Sequence, residues 1–244
     1  MHTEVVANVK SRDEILSFLF IILTFISVFK YRESSKKSGL LIGLLFYFLA
    51  LLSKEYAITL VILIPMLLYI VLKETFIKAV LTTLPFVAIA LVYLLIRYKI
   101  VGAGASFENP DVLNNPYLYA SKPEKLATKI DVLLRYLKLL FYPNPLSSDY
   151  SYNTIPFANF SSGGVWASIV IHISLFATAI ILFFKRNILS FAITFYLLHL
   201  FLISNLIFNV GGTMGERMVY HSSFGVEIAI AVLVAWLLQK ISAE

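Results

Sequence analysis

Cysteine is absent from the 244 residues, and Asp, Glu, Lys and Arg together supply only 14% of them. The first absence excludes disulfide scaffolds and paired-cysteine metal motifs, and it leaves cysteine usage silent on the redox compartment. The second leaves too little charge to dress a water-soluble globule whose composition is 59% hydrophobic with a mean hydropathy of +0.85. Glycine-rich nucleotide loops and Ser-His-Asp signatures are also missing. The first thirteen residues, MHTEVVANVKSRD, lack the apolar core and small-residue cleavage site of a signal peptide. The net charge of +6 needs no nucleic acid to explain it, because basic cytoplasmic loops give the same balance.

What the chain has in abundance is apolar runs bounded by charge. A hydrocarbon core of about 30 Å takes roughly 20 apolar residues per helix. About seven runs approach that length: Glu14 to Phe29, Leu40 to Leu52, Ala57 to Leu72, Ile77 to Ile96, Val165 to Phe184, Ile188 to Val210 and Phe224 to Leu238. The expected fold is all-α and polytopic. Four spans lie in residues 1–97, an external loop follows at 98–164, and three spans lie in 165–244. Lys30, Arg32, Lys36, Lys37, Lys73, Lys78, Lys185, Arg186 and Lys240 fall in one set of connections, which the positive-inside rule places in the cytoplasm. The N-terminus, the Lys54 turn, the long loop and the Arg217 turn then face the other side.

The long loop opens with a stretch rich in Gly, Asn, Pro and Ser. From 124 to 141, Leu126, Ile130, Leu133, Leu134, Leu137 and Phe141 follow helical spacing, with Lys125, Lys129, Arg135 and Lys138 largely on other positions. That pattern predicts an amphipathic helix, either in the membrane interface or packed inside a folded loop. Prolines then exclude a regular helix from YPNPLSSDYSYNTIPFANF, which surrounds the carboxylate of Asp149.

Charges next to apolar runs carry the functional information, since one in mid-membrane costs roughly 2.5 to 3.5 kcal/mol on insertion scales. Three groups share the external face: His2, Glu4, Arg12, Asp13 and Glu14; Lys54 and Glu55; and Glu216 and Arg217, with Tyr220 and His221 beside them. Lys54 and Glu55 could equally cap helix ends. Arg217 follows glycines and offers the five-donor fork that suits a phosphate, with a salt bridge to Glu216 or Glu55 as the plainer alternative. His2-x-Glu4 has metal-ligand residue types, but two positions apart on a helix they diverge. His172 and His199, inside apolar runs, read as hydrogen-bonded packing residues.

HTEVVANVKSRDEIL, LLSKEYAITL, LLFYPNPLSSDYSYNTIP and GERMVYHSSFG resemble successive landmarks of the transmembrane and tetratricopeptide-repeat-containing O-mannosyltransferases and their bacterial relatives. The resemblance covers nearly the whole chain, and PNPLSSDYSYNTIP is its most specific string. It implies a glycosyltransferase of the GT-C type. Such an enzyme takes a sugar, mannose in this family, from a polyprenyl-phosphate carrier and passes it to a protein hydroxyl on the non-cytoplasmic face. The bilayer, the lipid-linked donor and a protein or peptide acceptor would be its partners. The location would be a bacterial inner membrane, or the endoplasmic reticulum in a eukaryote. Arg217 and Lys54 would contact the lipid phosphate, Glu55, Glu216, Tyr220 and His2 would support them, and Asp149 and Tyr150 would face the acceptor. No residue pattern supports a divalent metal. The family's first helix, its first loop with the catalytic carboxylate and its C-terminal repeats have no counterpart in the sequence. A fragment is therefore expected, inactive by itself, with Glu4, Asp13 and Glu14 as the only nearby acidic candidates for the base. Pro65 and Pro85 inside apolar runs keep a lipid-linked-sugar flippase or transporter open, and a non-catalytic membrane scaffold is the third reading.

Overall fold

Every one of the seven apolar runs falls on a helix, because a chain with few polar side chains must satisfy its backbone groups internally once water is excluded. The structure, a computed structural model, describes residues 2–102, 115–147, 150, 154–206 and 210–242. Among these the α-helices are α1 (Thr3–Ala7), α2 (Arg12–Ser34), α3 (Lys37–Ser53), α4 (Leu60–Ile70), α5 (Phe76–Val101), α6 (Lys122–Phe141), α7 (Gly163–Phe184), α8 (Ile188–Ile203) and α9 (Tyr220–Ile241). Tight 3-10 turns at Val9–Ser11, Glu55–Thr59 and Glu216–Val219 lead into α2, α4 and α9.

Length separates these helices into two classes. Val9–Ser34, Phe76–Ile100, Gly163–Phe184 and Glu216–Ile241 are 22 to 26 residues long and apolar enough to cross a membrane. Lys37–Ser53, Glu55–Ile70 and Ile188–Ile203 are shorter apolar helices of 10–17 residues, reaching about 25 Å at most at 1.5 Å per residue. The run expected to reach Val210 ends at Ile203. Asn205 adopts a left-handed φ of 59° and its amide closes the following loop, donating to Gly212 O at 2.9 Å and accepting from Val210 N at 2.8 Å. The long helices leave large apolar side chains uncovered, among them Leu95 (62% exposed), Ile173 (63%) and Leu238 (59%). In water such a surface would drive aggregation, whereas in a bilayer it costs nothing. That fits a membrane protein.

The chain divides into two compact units, Val5–Ala105 and Met1–Glu4 with Ser106–Glu244. Within Val5–Ala105, α3 packs on α2 and α5, and α4 packs on α5. Tyr47 and Phe86 meet at 5.8 Å between ring centroids, and Ser17 Oγ donates to Ala50 O at 3.3 Å. Pro65 lies inside α4 and Pro85 inside α5. Arg32 pairs with Glu74.

In the other unit α6, α7, α8 and α9 pack in sequence. The amphipathic pattern expected from residue 124 begins two residues earlier. Ser121 caps α6, its N–H donating to Glu124 Oε2 at 2.9 Å, and Pro123 sits in the first turn where no intrahelical donor is needed. One side of it is covered by protein, with Val132, Leu134, Tyr136 and Leu139 buried and Ser168 of α7 donating to Ile130 O at 2.6 Å, while Leu126 (46% exposed) and Phe141 (67%) of the expected apolar stripe stay open. Three polar side chains inside the apolar helices are hydrogen-bonded to backbone carbonyls. Ser190 Oγ donates to Ala179 O at 2.7 Å, His172 Nδ1 lies 2.8 Å from Ser168 O, and His199 Nδ1 lies 2.9 Å from Phe195 O. Both histidines thus have the hydrogen-bonded packing role their setting predicts.

Candidate functional site

The turn Glu216–Val219 runs directly into α9, so its first N–H groups have no acceptor within the helix. Glu4 supplies one. Its Oε2 accepts from Arg217 N at 2.9 Å, while Oε1 lies 3.6 Å from Arg217 Nη1. A single carboxylate therefore bridges a backbone donor and a guanidinium at a helix start, where the dipole also favours negative charge. The sequence-based alternatives for an Arg217 salt bridge, Glu216 and Glu55, are not the partners found. Glu55 instead pairs with Arg97 at 3.4 Å.

Glu216 turns to the Pro-rich segment. It is 4% exposed, and its Oε1 accepts from Ser147 N at 2.6 Å and from Tyr150 Oη at 3.1 Å. Burial, and then the hydrogen bond to Glu216, push the Tyr150 phenol above its ordinary value, so it remains a donor at neutral pH. Asp149, its expected companion on the acceptor side, lies outside the described residues. Beneath the turn, the fully buried Tyr136 of α6 accepts from Gly215 N at 3.0 Å. Tyr136→Phe is expected to orphan that donor and cost about 1–3 kcal/mol, measurable as a lowered unfolding midpoint in detergent. An unchanged midpoint would show that Gly215 N–H finds another acceptor.

His2 and Glu4 diverge as their spacing predicts. His2 Nε2 lies 3.0 Å from Ser223 Oγ and 3.8 Å from Glu227 Oε1, with its ring edge-on to Tyr220 at 5.3 Å. His2 and Tyr220 thus sit together, one turn further along α9 than Arg217.

In the Val5–Ala105 unit a second charged centre forms. Lys54 Nζ lies 2.7 Å from Asp13 Oδ2 and 2.9 Å from Glu14 Oε1, and Glu14 is 1% exposed. Burial alone would push the Lys54 ammonium down, but the charge of Glu14 and the hydrogen bonds to both carboxylates outweigh it and hold it above the ordinary lysine value. Lys54 is thus committed to two anions, and Asp13 and Glu14 to one cation.

No family model, curated protein or solved structure matches the chain. The chemistry must accordingly be read from the two centres themselves. One presents Arg217 at a helix start, paired with the Glu4 carboxylate, beside the buried Glu216 and its half-buried partner Tyr150. The other is a closed ion triad. Sequence reasoning missed Tyr136, Ser147 and Glu227. Tyr136 carried a faint signal, a hydroxyl on the otherwise apolar side of an amphipathic helix, and Glu227 a clearer one, a carboxylate early in an apolar run.

Proposed function

We propose that this chain works as a multi-pass membrane glycosyltransferase, moving a sugar, mannose, from a polyprenyl-phosphate carrier to a Ser or Thr hydroxyl of a protein on the non-cytoplasmic face. In this reading all seven apolar helices are passes in a GT-C-like arrangement, the Lys- and Arg-rich links face the cytoplasm, and the Arg217 turn faces outward. The observation that carries it is the pair of donors, Arg217 N–H and guanidinium, that converge on one two-oxygen anion. The donor's phosphodiester carries one negative charge, as a carboxylate does, and suits the same donors; the phosphate monoester left after transfer carries up to two.

The transfer balances simply. The acceptor oxygen attacks the anomeric carbon, the bond from that carbon to the phosphate oxygen breaks, and its electron pair stays on the phosphate. Fixed positive charge at Arg217 stabilises that leaving group most when its charge is greatest, which lowers the barrier. The hydroxyl proton must pass to a base, since an alcohol is otherwise a weak nucleophile. Glu4, displaced from Arg217 by the phosphate, is the nearby carboxylate that would take it. Lys54 keeps its two carboxylates and holds its own unit together, so the phosphate contact falls to Arg217.

Arg217→Ala is expected to lower sugar transfer from polyprenyl-phosphate mannose to a serine peptide by about 100-fold or more, as loss of a preorganised charge donor does. Donor binding should weaken with it, and Arg217→Lys should restore part of both. The assay belongs in membranes carrying the native protein. Unchanged donor binding and transfer in Arg217→Ala would sink the assignment.

A further inference from the structure

Helix α6 is the most basic element of the Ser106–Glu244 region. It carries Lys122, Lys125, Lys129, Arg135 and Lys138 against only Glu124 and Asp131. One side of α6 packs on protein, while Arg135, Lys138 and Phe141 at its C-terminal end are exposed. Alongside the last turns of α6 lies a groove of about 740 Å³. Leu134, Leu137, Phe141, Ile155, Ile171 and Met214 give it an apolar wall, and Arg135, Lys138 and Asn144 line it as well.

Two features decide what fits. Among the described residues Asp131 is the one carboxylate lining the groove, and its Oδ2 is engaged by Arg135 Nε at 2.7 Å. Among the described residues no carboxylate forms an ion pair with Lys138. The described lining residues therefore carry one net positive charge, at Lys138. On its other side Ile171 belongs to α7, a helix long enough to cross a membrane, between Val170 at 61% and Ile173 at 63% exposed. An apolar wall continuing a lipid-compatible helix, with cations from an amphipathic helix beside it, matches a molecule with one compact anion and an apolar chain. Free phosphate would leave the wall wet, and a zwitterionic lipid would leave the excess positive charge uncompensated.

We propose that this groove is a binding site for an anionic membrane phospholipid, its acyl chain along Leu134, Ile171 and Met214 and its headgroup at Lys138 and Arg135. The groove shares Tyr150 with the Arg217 centre but is not lined by Arg217 itself, and the inference holds whether or not the chain transfers sugars. The bound lipid would fix α6 against α7 and make the stability of this unit depend on the charge of the surrounding membrane.

The test is native mass spectrometry of the full chain released from a neutral detergent, with phosphatidylglycerol and phosphatidylcholine of identical acyl chains. One phosphatidylglycerol should be retained about fivefold more strongly than phosphatidylcholine, as one uncompensated cation near the membrane surface implies. Lys138→Glu, a change at an exposed position, should abolish that preference, Lys138→Gln should reduce it, and Ile171→Trp should lower retention of both lipids by filling the groove. Unfolding midpoints of the lipid-free variants establish that they are folded. Arg217→Ala should leave phosphatidylglycerol retention unchanged even where donor binding is lost, which keeps the two sites distinguishable. Equal retention of the two phospholipids, indifference to both Lys138 variants, or exclusion of phosphatidylglycerol by a polyprenyl phosphate would overturn the assignment.

Discussion

Lys54→Met should destabilise the Val5–Ala105 unit by about 3–5 kcal/mol, the penalty for removing one partner of a buried ion pair. Lys54 makes ion-pair contact with both Asp13 and Glu14, at 2.7 and 2.9 Å. The two carboxylates differ sharply in their access to water, with 40% of the Asp13 side chain exposed and 1% of that of Glu14. Losing the ammonium therefore leaves Asp13 solvated but strands a charge at Glu14, which must then be protonated or drag in water. Asp13→Asn, by contrast, removes a half-solvated contact and should cost under about 1 kcal/mol. Glu14→Gln in the Lys54→Met background should recover much of the loss, because the stranded charge is gone. The sign of the pH response follows from Lys54. Its folded-state value lies above the ordinary one, so its contribution is complete below the ordinary lysine value and disappears only as pH rises through the folded value. Unfolding midpoints in detergent at neutral pH decide the matter, and equal midpoints for Lys54→Met and Asp13→Asn would show that Glu14 is not held by charge.

The triad also shows where sequence reasoning reaches its limit. Positions of apolar helices were legible because each run is bounded by charge or proline, and the amphipathic period of 124–141 gave α6 to within two residues. The number of membrane-length helices was less so, since Lys37–Ser53 and Ile188–Ile203 are as apolar as the long ones and differ only in where their caps fall. Partners of the charged residues were hidden almost completely. Lys54 reads most naturally with its neighbour Glu55, yet the two side chains go to different helices, Lys54 to Asp13 and Glu14 on α2 and Glu55 to Arg97 on α5. Arg217 and Glu4 stand 213 positions apart, and nothing local in either segment encodes their meeting. Glu4, Glu216, Tyr150 and Arg217 do come together in space, while the pairing among them is set by how the helices pack.

That packing rests at one point on a glycine the apolar pattern passes over. Gly225→Ala is expected to cost more than about 3 kcal/mol, the severe end of overpacking, even though alanine is the better helix former by about 0.8–1 kcal/mol. A Cβ at 225 would stand 2.4 Å from Ala192 O and 2.7 Å from Tyr196 N. Both are backbone atoms of α8, so no side-chain rotation relieves the clash and the two helices must separate. Separation would loosen Phe195 from Phe224, now 5.3 Å apart, and His199 from its stacked partner His221 at 5.6 Å. Small residues are used in this way wherever apolar helices approach closely in lipid. Gly163→Ala is the matched control: a Cβ there meets nothing within 4 Å, and the change should be neutral or slightly stabilising. The consequence extends to the site, since α9 continues from the turn that presents Glu216 and Arg217. If α8 positions that turn, Gly225→Ala should weaken donor-lipid binding together with stability, and no detergent condition that restores folding should fully restore binding. A Gly225→Ala protein with the unfolding midpoint and donor affinity of the unaltered chain would mean that α8 and α9 are not in backbone contact.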